Sequence, residues 1–381
     1  MPVYLDYNAT SPMETEVLDG MLPYLRTGFG NPSSLHAFGR VAREAVHNAR
    51  SQVAEAVGCQ SSQVIFTSGG SEANNLFIKG AAGYLKPGTI AISSIEHPSI
   101  VKPAASLIRA GWLLRKISVD AEGLLDISDA ESALSSPSSP SCMVSVMLAN
   151  NETGVIQDVS KVAEITRSRG AWMHTDAVQA FGKIPLNFHS LGVHAMTISA
   201  HKICGPKGVG ALIVDKRLAL MPLVEGGGQE SGLRSGTENV AAIVGFGVAA
   251  MRAKNRLLNY ARHVECLKKK LESALQDMGA VLFSRGAPRL PNTSYFSFAG
   301  IDGGTLVIEM DRAGFAIASG SACASGATDP SETLLAMGVS PDLARGAVRV
   351  SLGAESDDSH VADFVTALKA ALRRLSTMAA V

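Results

Sequence analysis

Six short runs of this chain are apolar on both faces: QVIFTS (63–68), TIAISS (89–94), CMVSVMLAN (142–150), AWMHTDA (171–177), AMTISA (195–200) and GALIVD (210–215). A strand with one wet face alternates polar and apolar residues. A strand without a polar face has to be covered on both sides, as in a parallel sheet held between two layers of helices. Helical patterns lie between the runs, among them VAREAVHNARSQVAEAVG (41–58) and VSKVAEITRSRG (159–170), the second closed by glycine. The alternation predicts an α/β fold. After about residue 240 the pattern changes. A helical stretch runs from Val240 to about Met278, and TSYFSF (293–298), FAIASG (315–320) and AVRVSL (347–352) read as strands with helices between and after them. This predicts a second, smaller α+β domain. The run SSPSSPS (135–141) reads as a local flexible loop. With 381 residues, 46% of them hydrophobic, the chain is long and apolar enough for both cores.

Charge narrows the function classes. Lys+Arg and Asp+Glu both number 34, which leaves no basic surplus for nucleic acid or an acidic membrane. The five cysteines, Cys59, Cys142, Cys204, Cys266 and Cys323, form no CxxC pair, so neither a disulfide framework nor a zinc knuckle is indicated. The opening MPVYLDYNAT has neither a basic nor an apolar leader region. No apolar run reaches the ~18 residues that a membrane helix needs. The expectation is a cytoplasmic protein with no membrane or nucleic-acid partner.

The stretch ISAHKICGPKG (198–208) places Lys202 at the mouth of a buried run, before a turn built on Gly205, Pro206 and Gly208. A Walker loop has its glycines before the lysine, and a dinucleotide fingerprint has them after a strand and before a helix; both orders are wrong here. A lysine that carries pyridoxal phosphate (PLP) needs other support: a carboxylate at the ring nitrogen, phosphate donors from a loop and a helix N-terminus, and a flat ring against the cofactor face. Asp176 closes AWMHTDA, where an unpaired carboxylate is costly. TSGGSEANN (67–75) follows one strand and opens a helix, with Gly69, Gly70 and Ser71 suited to an anion. His97 follows another strand in SIEHPS. In a parallel sheet such loops meet at the carboxyl edge, where ligands bind. Taken singly, each has a plainer explanation as a helix cap, a surface histidine or a salt-bridge partner.

The motifs YLDYNATSP, FGNPSSLHAFG, FTSGGSEANN, IEHPSI, NNETGVIQDV, HTDAVQAFGK, SAHKICGPKG, GGGQESGLRSGTEN and SGSACASG together resemble those of the cysteine desulfurases of the NifS/IscS type, from residue 4 to about 353. The resemblance implies a PLP-dependent transferase of fold type I (the aspartate-aminotransferase fold), with a large, mainly parallel-sheet domain at 13–251 and a small α+β domain from 1–12 and 252–381. It implies a homodimer that takes sulfur from L-cysteine, leaving L-alanine and an enzyme persulfide for a sulfur-acceptor protein, an iron–sulfur scaffold or a sulfur carrier. By motif, Lys202 is the Schiff-base lysine and Asp176 the partner of the pyridine nitrogen. Gln179 and Asn151 bond the phenolic oxygen, and His97 stacks on the ring and shuttles protons. Gly70, Ser71, Ser199 and His201 hold the phosphate, with Thr237 reaching in from the other subunit. Arg349 clamps the substrate carboxylate, a task that suits its planar fork, with Asn151 also on the substrate.

Cys323 lies in ASGSACASGATDPSE, a run of small residues with little to anchor it. This predicts a mobile loop that carries the persulfide, the mark of the group I subclass. Cys323 is also a candidate transient iron–sulfur ligand; no resident metal is expected. Position 71 is Ser where Thr is common, which keeps the hydroxyl. Cys204 stands where a bulkier residue is usual, and the family's docking tail is short here. The competing readings are a selenocysteine lyase, an aminotransferase of the same fold, and an idle sulfur-relay subunit.

Overall fold

The computed structural model describes residues 2–134, 142–320 and 329–379; the loop expected at 135–141 lies outside them. Strand β1 (Val3–Tyr4) opens the chain. A seven-stranded sheet follows: β2 (Val64–Thr67), β3 (Thr89–Ser93), β4 (Leu113–Ile117), β5 (Cys142–Ser145), β6 (Trp172–Asp176), β7 (Ala195–Ser199) and β8 (Gly210–Val214), in the order β2-β8-β7-β6-β5-β3-β4. Only β8 runs against the others: it pairs antiparallel with both β2 and β7, so β2 to β7 all point their carboxyl ends at one edge.

Both faces of this sheet are packed. Val64 and Phe66 join one apolar cluster with Val144, Met173, Met196 and Ile213, and Ile65 joins the opposite one with Ile90, Ile92, Met143 and Leu212. Removing each such aliphatic side chain from water contributes about 1.5–3 kcal/mol, so the doubly apolar runs have no other stable place. The helix Ala37–Val57, predicted at 41–58, ends on Gly58 in the left-handed conformation, φ 67°.

A smaller α+β unit holds β9 (Val281–Leu282), β10 (Thr293–Ser297), β12 (Ala318–Ser319) and β13 (Val348–Ser351) in the order β12-β13-β10-β9, while β1 pairs parallel with β11 (Phe315–Ala316). The 38-residue helix Val240–Asp277 links the two units. Ala242, Phe246 and Ala250 pack in the large core, and Val264, Leu267 and Leu271 in the small one. The expected division at residue 251 falls inside this helix.

Three details differ from the sequence reading. The run 142–150 is a strand only to Ser145. Beyond it, the amides of Val146 and Leu148 bond the carbonyls of His174 and Asp176, and the chain then folds into the Asn150–Gly154 turn. FAIASG splits into β11 and β12, which belong to different sheets. The strand LLRKI, β4, gave no apolar signal because it is an edge strand with Leu113, Arg115 and Lys116 exposed.

Candidate active site

A cavity of about 340 Å³ opens at the carboxyl edge of the large sheet. Gly70, Ser71, His97, Asn151, Asp176, Gln179, Ser199, His201, Lys202 and Arg349 all line it. Residues from five strand ends therefore converge with one from the small unit.

Asp176 is the last residue of β6 and is 6% exposed. It accepts from Asn74 Nδ2 at 2.7 Å and from the Val178 amide at 3.0 Å. Asn74 stands one turn inside the helix Gly70–Tyr84 and also donates to Ser99 Oγ (2.8 Å). Asn74 lies within TSGGSEANN, where no local signal gives it a role. Lys202 follows β7 in a short 3₁₀ turn, Ala200–Lys202, and its Nζ donates to the carbonyls of Asn8 (2.5 Å) and Ala9 (2.6 Å).

His97 caps the helix Pro98–Ser106: its Nδ1 accepts from the Ser99 amide at 3.1 Å. Nδ1 thus lacks a proton, and Nε2 carries the one that neutral imidazole has. Burial holds His97 below the ordinary imidazole range; the Asp176 carboxylate opposes that shift and Lys202 adds to it. Burial also lowers His201 to about 4, helped by Lys202, Lys207 and Lys183. Glu96, beside His97, is pushed up to about 8, chiefly by burial, so at neutral pH it adds no full second negative charge behind Asp176.

Arg349 comes from β13 and is 6% exposed. It donates to the Asn151 carbonyl (2.9 Å) and pairs with Asp6 Oδ1 (2.5 Å), while its Nε has no partner among the described residues. Asp6 and Asn8, both in the opening YLDYNAT, were missed as site residues; their contacts lie more than a hundred residues away, and no local spacing signals them. Thr237 is exposed and lies outside this cavity, in the loop before the long helix. Cys323 lies outside the described residues. The flanks of its segment, Gly320 and Asp329, line a neighbouring cavity of about 310 Å³ that shares His97 and Asn151 with the first.

The residues present fit PLP. At the helix Gly70–Tyr84 the N-cap is Gly69, which has no side chain to satisfy the first-turn amides. A Cβ on Gly70 would stand 3.0 Å from Val178 Cγ2 and 3.9 Å from Ser199 Cβ, so the glycine keeps the cradle open. Ser199 Oγ is buried there with no partner among the described residues, a hydroxyl left for an anion. Asp176 and Lys202 supply the carboxylate and the amine on the same cavity. Among the described residues no group of three or more His, Cys, Asp or Glu could hold a metal, and no helix is long and apolar enough to cross a membrane.

Fold and site together define a PLP-dependent transferase of fold type I. The class-V aminotransferase family model matches residues 3–364. Cysteine desulfurase IscS of Dictyoglomus turgidum is 40% identical over 386 residues, 98% of this chain and 96% of that one. A solved NifS-like protein superposes with TM-score 0.92 at 35% identity, over 98% of this chain and all of the other. A structure described as SspA in complex with cysteine gives 0.80 at 31%, over 92% and 99%. The chain belongs to the class-V aminotransferase family and, within it, to the PLP-dependent group I cysteine desulfurases of the IscS/NifS type.

Proposed function

We propose the following division of labour for the removal of sulfur from L-cysteine, the PLP-dependent activity of this enzyme. The observation that carries it is the convergence of Lys202, Asp176 and an open helix N-terminus on one cavity. Gly70, Ser71, Ser199 and His201 hold the phosphate, and Asp176, fixed by Asn74, faces the pyridine nitrogen. Gln179 and Asn151 bond the phenolic oxygen, and His97 lies against the ring. When bound, PLP supplies a ring that draws off the electron pair left at the substrate α-carbon. Lys202 Nζ, held near the cavity mouth by two carbonyls, takes and returns the α-proton. Arg349 binds the substrate carboxylate; its unpartnered buried Nε supports that role. His97, whose Nε2 carries the ring proton, serves as the proton shuttle of the reaction, giving that proton before it takes one back.

Cys323 takes the sulfur. Its thiolate forms an S–S bond to the substrate sulfur as the C–S bond breaks, and the electron pair of that bond stays with carbon, which gains a proton and leaves as L-alanine. One thiol and one cysteine give one persulfide and one alanine, so no outside oxidant or reductant enters. The flanking residues Gly320 and Asp329 at the second cavity support this placement. So do three half-buried thiols elsewhere in the chain: burial pushes Cys59 to about 12 and Cys142 to about 11, and raises Cys204.

The same reading divides the chain into a large domain at 13–251 and a small one from 1–12 and 252–381. It makes the working unit a homodimer in which Thr237 completes the partner's phosphate site; the exposed Met221, Leu223 and Val224 in the preceding loop support a covered surface there. The persulfide passes to an acceptor protein of iron–sulfur assembly or sulfur transfer in the cytoplasm, where Cys323 serves as a transient cluster ligand. Cys323→Ser tests the centre of the reading. After incubation with cysteine, mass spectrometry should find one added sulfur on Cys323 of the wild type, and the variant should form no alanine while still changing the cofactor spectrum on cysteine addition. Persulfide on Cys59, Cys142, Cys204 or Cys266 with Cys323 unmodified would overturn the assignment.

A further inference from the structure

Lys183 is 3% exposed, and no carboxylate lies within ion-pair distance of it among the described residues. Its Nζ donates to two amide oxygens, Gln179 Oε1 and Asn8 Oδ1, both at 2.7 Å. Gln179 and Lys183 stand four residues apart in the helical turn that follows β6, where the Phe181 and Ile184 amides bond the carbonyls of Ala177 and Ala180. That spacing puts both side chains on one face.

A side-chain amide can present either end to a ligand, and the two ends are opposite in character. The contact with Lys183 removes the choice. As an ammonium, Nζ has only N–H bonds to offer, and turning either amide around would set NH2 against NH. Both oxygens therefore face Lys183, and both nitrogens face away. Asn8 Nδ2 turns to the Asn151 carbonyl (3.2 Å) and Thr293 Oγ1 (2.9 Å). Gln179 Nε2 turns to the Asn8 carbonyl (2.9 Å), which leaves its second N–H for the cavity that Gln179 lines.

We propose that Lys183 is a positioning residue that locks the amide of Gln179, so that the cofactor's phenolic oxygen always meets an N–H donor. This rests on the placement of Gln179 at that oxygen in the reading above. Burial, with Lys202 and Arg349 nearby, holds Lys183 well below the ordinary lysine range, against the weaker pull of Cys204 and Asp6. A lysine kept buried at that cost, on two neutral amides, fits a group retained for the geometry it imposes.

The test reads the absorbance of bound PLP as a function of pH. An N–H donor favours the form in which the phenolic oxygen carries its charge without a shared proton, so loss of the donor moves the spectral midpoint up. Lys183→Met should raise it by roughly one pH unit, the scale of one hydrogen bond to a charged group. Lys183→Arg, which still only donates, should return it toward wild type. Lys183→Gln is polar enough to fold where Met is not; it both accepts and donates, and should shift the midpoint as Met does. Gln179→Leu should give the same shift, and combining it with Lys183→Met should add nothing. If Gln179→Leu moves the midpoint while both Lys183→Met and Lys183→Gln leave it in place, or if the shifts add, the proposal is overturned and the reading of the site stands. If Gln179→Leu leaves the midpoint unmoved, the assignment of Gln179 fails and the proposal with it.

Discussion

His174 lies two residues before Asp176 on β6 and is fully buried. Its ring stacks on Phe77 at 4.7 Å, and its two nitrogens meet Ser145 Oγ and Thr197 Oγ1, both at 2.9 Å. Neutral imidazole has one donor and one acceptor, which matches two hydroxyls without a charge. Burial pushes its pKa down to about 3. Above the unfolded value near ~6.5 both states are neutral and the protein keeps its full stability; as pH falls toward 3 the unfolded chain takes a proton that the folded one refuses. The unfolding free energy should therefore fall by up to about 1.4 kcal/mol per pH unit in this window from this residue alone. Urea titrations of wild type and His174→Gln between pH 7 and 5 should give a steeper loss for wild type; parallel slopes would remove His174 as a source of acid sensitivity.

At the scale of elements, the helix Gly70–Tyr84 does two things for the site. Its N-terminus opens on the cavity without a side-chain cap, and Asn74 in its second turn holds Asp176. The register of β6 on β7, Asp176 beside Thr197, then sets the carboxylate level with the segment leading to Ser199 and Lys202. The helix packs on the sheet through Ala73, Leu76 and Phe77, so its position does not depend on bound phosphate. Gly70→Ala should therefore fold. Its Cβ would press on Val178 and fill the cradle, and overpacking of this kind costs about 1–3 kcal/mol. Titration of the apo-protein with PLP should show affinity at least ~10-fold weaker than wild type. Unchanged affinity would mean that the phosphate sits elsewhere.

Across the whole molecule, the opening segment stitches the two units together. β1 adds to β11, Leu5 enters the small core, and Asn8 then crosses to the cavity of the large sheet. The Asn8 amide bonds Ser351 Oγ (2.9 Å), its side chain meets Thr293 and Asn292 of the small unit and Lys183 of the large one, and its carbonyl accepts from both Gln179 and Lys202. Glu152 makes a second stitch: it is half-buried on the large-unit side and accepts from Tyr295 (3.0 Å), Thr333 (3.0 Å) and Ser331 of the small unit. Asn8→Ala leaves several buried groups short of partners, each costing about 1–3 kcal/mol. We expect a loss of at least ~2 kcal/mol in urea unfolding, well above the median effect of a substitution. A loss below ~0.5 kcal/mol, the range of ordinary surface changes, would show that the crossing does not depend on this side chain.

The sequence by itself determined the large sheet and most of the cavity. Doubly apolar runs are a local property, and they fix which segments are strands, that helices cover both faces, and which loops gather at the carboxyl edge. Ten of the twelve residues assigned to the site line the one cavity; Thr237 lies apart from it, and Cys323 falls outside the described residues. The edge strand β4 escaped because its charged residues satisfy solvent rather than a core. The supporting layer was decided only in three dimensions. Arg349 and Asp6 are 343 positions apart, Asn8 and Gln179 171, and Asn74 and Asp176 102. A hydrogen bond acts over about 3 Å, so a pattern read along the chain names the residues able to form one but not the pairs. The pairs follow from how the two cores dock, and that docking turns Asn8 and the buried Lys183, unremarkable in sequence, into the frame behind Gln179 and the lysine of the site.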